Sequence, residues 1–193
     1  MTSDIDANIK TLATRLYTNS THPGAKQRFI LTISGVPGSG KSFISGHLCH
    51  EINALAKSHG QSESIAVVVP MDGYHYTKAQ LDQMEGLKNM QYIHLAPEFN
   101  EIRYSHRIVI VEGLYLQLAS LEPWSKLRKF VDEAMWVEPK DASLAKDRLI
   151  ARHMGSRVGR DYVTAKARAE NNDIPNGQFI IENRYQPDTV FLN

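Results

Sequence analysis

The chain predicts an α/β domain, a five-stranded parallel sheet flanked by helices in three layers. Three observations predict it. Five short apolar runs (Phe29–Ser34, Ile65–Pro70, Arg107–Gly113, Ala134–Glu138 and Thr189–Leu192) alternate with longer segments of helical period. A glycine-rich stretch, Gly35–Ser42, joins the first run to a helix. The second and third runs end in acids, Asp72 and Glu112, at the edge where parallel α/β sheets bind ligands.

The glycine-rich stretch, Gly35-Val36-Pro37-Gly38-Ser39-Gly40-Lys41-Ser42, has the form G-x-x-x-x-G-K-[ST] of a phosphate-binding loop. Main-chain N–H groups must converge on phosphate oxygens there, and side chains would block them. Glycines leave that space open. The loop then enters a helix N-terminus, whose unpaired N–H groups and dipole favour an anion. Lys41 can reach the β- and γ-phosphates, and the Ser42 hydroxyl can ligate Mg²⁺. The nucleotide-binding residues expected are Gly35, Val36, Pro37, Gly38, Ser39, Gly40, Lys41, Ser42 and Phe43. A turn that matches by chance is the bland alternative. The strand before and the helix after, marked by Ile44, Leu48, Ile52 and Leu55, argue against it.

Composition narrows the classes. The 193 residues suffice for one domain with a sizeable core, and 42% hydrophobic with 22% charged residues is an ordinary globular balance. A formal net charge of +1 gives no reason to expect a nucleic-acid partner. A single cysteine, Cys49, rules out an internal disulfide and suits a reducing compartment. No stretch reaches the roughly 20 apolar residues that span a bilayer. The start of the chain lacks a basic, apolar signal pattern, so a cytoplasmic protein without a membrane partner is expected.

In chain order, residues 4–18 predict a helix with Ile5, Ile9, Leu12 and Leu16 on one stripe, lying outside the core. Covering a core and binding a partner are both open to it. A turn at Asn19–Gly24 separates this N-terminal unit, residues 1–24, from the domain at 25–193. The loop's helix ends near Gly60, and His47 and His50 on it are read as ordinary histidines, not a metal pair. Asp72 could take a proton from an attacking hydroxyl or hold a magnesium-bound water; an Asp-Gly turn is the alternative. Thr77–Gly86 predicts a short helix, and 87–105 has no firm pattern. Glu112 sits where many nucleotide-binding folds hold Mg²⁺, although a strand-ending surface acid would look the same. Pro123–Phe130 predicts a short helix.

Asp141 opens a further helix on which Arg148 and Arg152, four apart, share a face. Arg157, Gly159 and Arg160 follow. Paired cations before a glycine-containing segment suit a lid over phosphates, around residues 148–160, whose guanidinium groups offset charge on a transferred phosphoryl. A solvated basic helix end is the alternative. Asp161–Asn171 predicts another helix, and Asn171–Gly177 predicts a break.

Taken in order, the loop, Met71-Asp72-Gly73-Tyr74-His75, Val111-Glu112-Gly113-Leu114-Tyr115 and Arg148–His153 give a resemblance. From about Phe29 onward the chain resembles the phosphoribulokinase/uridine kinase family of P-loop small-molecule kinases, and within it the fungal and bacterial uridine kinase-like branch. The resemblance implies the P-loop NTPase fold and transfer of the ATP γ-phosphoryl to an alcohol. It implies Asp72 as general base, Lys41 on the phosphates, Ser42 and Glu112 at magnesium, and Arg148 and Arg152 in the lid. The implied partners are ATP and a small-molecule acceptor such as a nucleoside, pantothenate or a sugar; a homodimer is admitted. One departure stands out. Related chains usually carry a longer insert, with an Arg-rich and Phe-Asp-containing stretch, where this chain has only Gly73–Arg107. Three functions therefore compete: a metabolite kinase, an ATP-binding module that acts through protein partners with a degraded acceptor site, and a small nucleotide switch.

Overall fold

The computed structural model describes residues 2–71, 101–155 and 161–193. The short helix expected at Thr77–Gly86 lies outside them, as do Asp72, Arg157, Gly159 and Arg160. Helix α1 (Thr2–Thr21) leads into β1 (Phe29–Ser34), α2 (Lys41–Ser58) and β2 (Ala66–Pro70). After β3 (Ile108–Glu112) come a 3₁₀ turn (Trp124–Phe130), β4 (Glu133–Glu138) and α3 (Ala142–Met154). Helix α4 (Tyr162–Arg168), a π turn (Ala169–Asp173), α5 (Ile174–Asn183) and β5 (Thr189–Leu192) complete the chain.

The five strands form one parallel sheet in the order β2-β3-β1-β4-β5. Side chains alternate across it. Leu31, Ile33, Ile108, Ile110, Met135, Val137 and Phe191 all face one side, where they join Ile44, Leu48 and Ile52 of α2 and Ile9, Leu12, Ala13 and Leu16 of α1 in one core. Helix α1 thus covers α2 from outside. Each fully buried Leu or Ile contributes about 1.5–3 kcal/mol, so this stripe is part of what holds the domain together. A bidentate pair from Arg15 to Glu133 (2.8 and 2.6 Å) ties α1 to the start of β4. On the other face Trp136 carries the Arg184 guanidinium, 4.4 Å from its ring centre, from the segment after α5.

The chain leaves β1 for β2 on one side of the sheet and crosses from β3 to β4 on the other. The carboxyl end of β1 is therefore where the winding direction changes, the usual crevice for ligands in such sheets.

The break expected at Asn171–Gly177 is a correction. The backbone stays helical through Asp173 (φ −73°, ψ −41°) and Ile174, and α5 begins at once. Pro175 sits in its first turn, where no intrahelical N–H is needed. Gly177 is there for close approach: a Cβ on it would lie 3.3 Å from Pro37 and 3.5 Å from Val36. Gly177, which looks like punctuation, is in fact fitted to the loop beside it.

Candidate phosphate-binding site

Between β1 and α2 the chain curls through two left-handed glycines, Gly38 (φ +79°) and Gly40 (φ +93°). The space is closed as well as the angle: a Cβ on Gly38 would come within 2.4 Å of the Ala145 carbonyl oxygen in α3. The Ser39 N–H donates to the Val36 carbonyl (3.1 Å), and the Gly40 carbonyl accepts the first helical bond, from Ile44 (3.0 Å). The curl therefore delivers its last N–H groups to the start of an 18-residue helix, as an anion site requires.

Lys41 is buried at 9% exposure. Its Nζ donates to the Gly35 (3.0 Å) and Val36 (3.1 Å) carbonyls, which places the ammonium inside the curl. Ser42 lies one residue on. Its Oγ donates to Glu112 Oε1 at 3.0 Å. The sheet makes that contact: Glu112 pairs with Ile33 on one side and with Pro70 on the other. The Ser34 hydroxyl fixes the chain beyond it by donating to the Gly113 and Leu114 carbonyls (2.9 and 2.8 Å). Met71 packs on Gly113 so tightly that a Cβ there would lie 2.5 Å from Met71 Cβ. The ends of β1, β2 and β3 thus lie side by side; Asp72, the next residue after Met71, is outside the described residues.

The two arginines expected in a lid go to different places. Arg148 comes to the loop, its Nη1 4.0 Å from where a Cβ on Gly40 would lie. The Arg152 side chain, 64% exposed, has its Nη2 3.9 Å from Asp173 Oδ1. His153 Nε2 shares a 2.7 Å hydrogen bond with the other oxygen of Asp173, buried between α3 and the π turn. Val36 and Pro37 also border a cavity of about 400 Å³ walled by Trp136, Leu149 and Ile181. It is largely apolar, unlike the curl, where the main-chain groups of a helix start come together.

A hydroxyl and a carboxylate 3.0 Å apart at the mouth of the curl are hard oxygen donors. They fit a magnesium ion that takes one or two protein oxygens and completes its shell with water and phosphate. No cluster of three or more His, Cys, Asp or Glu side chains suited to a metal occurs among the described residues. At His47 the structure shows a ring contact with Phe43, 4.2 Å between centres.

Sequence reasoning missed Asn193. Its carboxamide Nδ2 donates to the Ser39 carbonyl at 2.7 Å, from just beyond the edge strand β5. No local pattern signals that contact.

No family model matches the chain. It is 27% identical over 202 residues to a Schizosaccharomyces pombe protein named "Putative uridine kinase C227.14", covering 86% of this chain and 83% of that protein. It is 36% identical over 88 residues to the "ATP-dependent kinase-like protein notR'" of Aspergillus versicolor, covering 46% of this chain and 50% of that one. Among solved structures, "YFH7 from Saccharomyces cerevisiae: a putative P-loop containing kinase with a circular permutation" superposes with a TM-score of 0.77 at 17% identity, over 98% of this chain and 99% of that one. The fold is that of the P-loop kinases. A "putative fructose transport system kinase from Silicibacter sp. TM1040" agrees, with a TM-score of 0.72 at 23% identity, over 95% of this chain and 98% of that one. The resemblance carried by the four motifs therefore stands, on kinase-named relatives and on the P-loop kinase fold. No helix among the described residues is long and apolar enough to cross a membrane.

Proposed function

We propose that the chain is an ATP-dependent kinase that transfers the γ-phosphoryl group to a hydroxyl of a small metabolite, with a nucleoside such as uridine as the first candidate. One observation carries the reading. The loop's Ser42 hydroxyl is joined to Glu112 at the carboxyl edge of the sheet, beside a buried Lys41. That is a cation, a curl of N–H donors and an oxygen pair for a metal in one place, as phosphoryl transfer needs.

The roles follow from charge and position. The loop from Gly35 to Phe43 binds the triphosphate, and Lys41 leaves its carbonyl partners for phosphate oxygens. Ser42 and Glu112 hold Mg²⁺, which draws charge from the phosphates when bound. Arg148, whose Nη1 comes near Gly40, offsets charge on the phosphoryl oxygens; Arg152, one turn on along the same helix, is the second cation of the reading. Asp72 accepts the acceptor's proton, the role that the motif resemblance implies for it; Pro70, two residues earlier, pairs with Glu112. The uridine kinase name of a relative at 27% identity supports the acceptor class.

The test is ADP formation from MgATP against a panel of nucleosides, pantothenate and sugars. A rise in ADP dependent on one acceptor is the expected result. Tight ATP binding with no acceptor raising turnover above basal hydrolysis would instead favour the binding module, which the short stretch from Gly73 to Arg107 motivates.

A further inference from the structure

Asn193 is held at three points. Its N–H donates to the Glu138 carbonyl and its main-chain oxygen accepts from the Lys140 N–H, both at 2.9 Å. These bonds fix the residue against the turn after β4. Its carboxamide then spans the gap to the loop and donates to the Ser39 carbonyl (2.7 Å). The fit is close: a Cβ on Gly40 would lie 2.2 Å from Asn193 Nδ2.

The peptide that receives this bond is the one joining Ser39 to Gly40. Its orientation is set by rotation about the Ser39 Cα–C and Gly40 N–Cα bonds, and Gly40, left-handed at φ +93°, imposes little preference on the second. A trans peptide is planar, so its C=O and N–H point in opposite directions. Pinning the Ser39 oxygen toward Asn193 therefore turns the Gly40 N–H to the opposite side of the loop. If the peptide flipped, a carbonyl oxygen would replace that donor and repel a phosphate.

We infer that Asn193 is a positioning residue for phosphate binding: it sets the Ser39–Gly40 peptide so that the Gly40 N–H serves the anion. The inference rests on the reading of the loop as a triphosphate site. It assigns a role to a side chain outside the G-x-x-x-x-G-K-[ST] pattern, on the residue that follows β5.

Calorimetric titration of MgATP and of tripolyphosphate tests it, on the wild type, Asn193→Ala and the near-isosteric Asn193→Asp, which cannot donate the bond as a carboxylate. The expected result is a loss of about tenfold in affinity for both ligands in Asn193→Ala, the worth of roughly one hydrogen bond, and at least that in Asn193→Asp. Unfolding temperatures should stay within a few degrees of wild type; if Asn193→Ala folds poorly, the near-isosteric and uncharged Asn193→Leu carries the test, because a carboxylate also repels phosphate by its charge. Wild-type affinity in both variants would overturn the inference while leaving the triphosphate site intact. Weaker MgATP binding with unchanged tripolyphosphate binding would also overturn it, since Asn193 would then act on the nucleoside end. A wild type that binds neither ligand would overturn the triphosphate reading itself, and this inference with it.

Discussion

Ser42 Oγ and Glu112 Oε1 lie 3.0 Å apart, although 70 positions separate them in the chain. The contact exists because β1 and β3 are neighbours in register, with Ile33 opposite Glu112. If the pair holds magnesium, Glu112→Gln keeps the shape and removes the charge. The expected outcome is a rise of about 10- to 100-fold in the Mg²⁺ concentration needed for half-maximal turnover, with an unfolding temperature close to wild type. A magnesium titration at fixed ATP checks it; an unchanged midpoint would remove Glu112 from the metal site.

Lys41 should separate chemistry from folding. Its ammonium donates to the loop carbonyls of Gly35 and Val36 at 3.0 and 3.1 Å. Lys41→Ala is expected to lower turnover by about 10²- to 10³-fold, the usual cost of one preorganised charge-stabilising donor. Circular dichroism should show the fold intact. Equal phosphorylation by variant and wild type would sink the assignment.

Gly38 offers a stability test. Alanine there must hold φ near +79° and place its Cβ 2.4 Å from the Ala145 oxygen. The left-handed angle alone costs about 1–2 kcal/mol, and relieving the clash moves α3 away from the loop. A drop of at least about 4 °C in unfolding temperature is expected, with nucleotide affinity falling too.

What could be read ahead of the structure was whatever is encoded by neighbours in the chain. The curl was legible because its glycines, lysine and serine are consecutive. Glu112 was legible because a buried strand ends on it. The pairing of Arg148 with Arg152 was legible only as a shared helix face; that one reaches Gly40 and the other Asp173 depends on how α3 packs. Helix α5 was misread because Pro175 and Gly177 break isolated helices, whereas here one occupies a first turn and the other admits Pro37. Asn193, 154 positions from Ser39, has no local signature at all.

Arg15 and Glu133 test the attachment of α1. Glu133 is buried at 7% exposure and also accepts from Thr189 Oγ1 at 2.8 Å, so it joins α1, β4 and β5. The carboxylate holds the Arg15 guanidinium above its ordinary pKa through a direct hydrogen bond. Arg15→Ala strands a buried charge. Because Arg15 is itself 43% exposed, solvent offsets part of the loss, and about 1–2 kcal/mol of destabilisation is expected. Chemical denaturation measures it. Arg15→Met, which keeps the stem without the charge, should recover none of the hydrogen-bonded part.

His106 should make stability depend on pH on the acid side. Its ring is buried, and Nδ1 accepts the Arg103 N–H at 2.9 Å, a bond that needs the neutral form at that nitrogen. Burial, then the charges of Arg103 and Arg28, push its pKa below the ordinary 6.5, against the opposing charges of Glu101 and Glu63. The unfolded chain therefore binds the proton at a higher pH than the folded one. The stability that His106 contributes is complete above about pH 6.5 and is lost as pH falls from there through the lower folded value. Asn at this position can still accept the Arg103 N–H through its carboxamide oxygen but does not titrate. Thermal unfolding of wild type and His106→Asn from pH 8 to pH 5 (roughly the window of histidine titration) checks it. The wild type should lose more stability across that range than the variant, and parallel curves would show that His106 is not the group responsible.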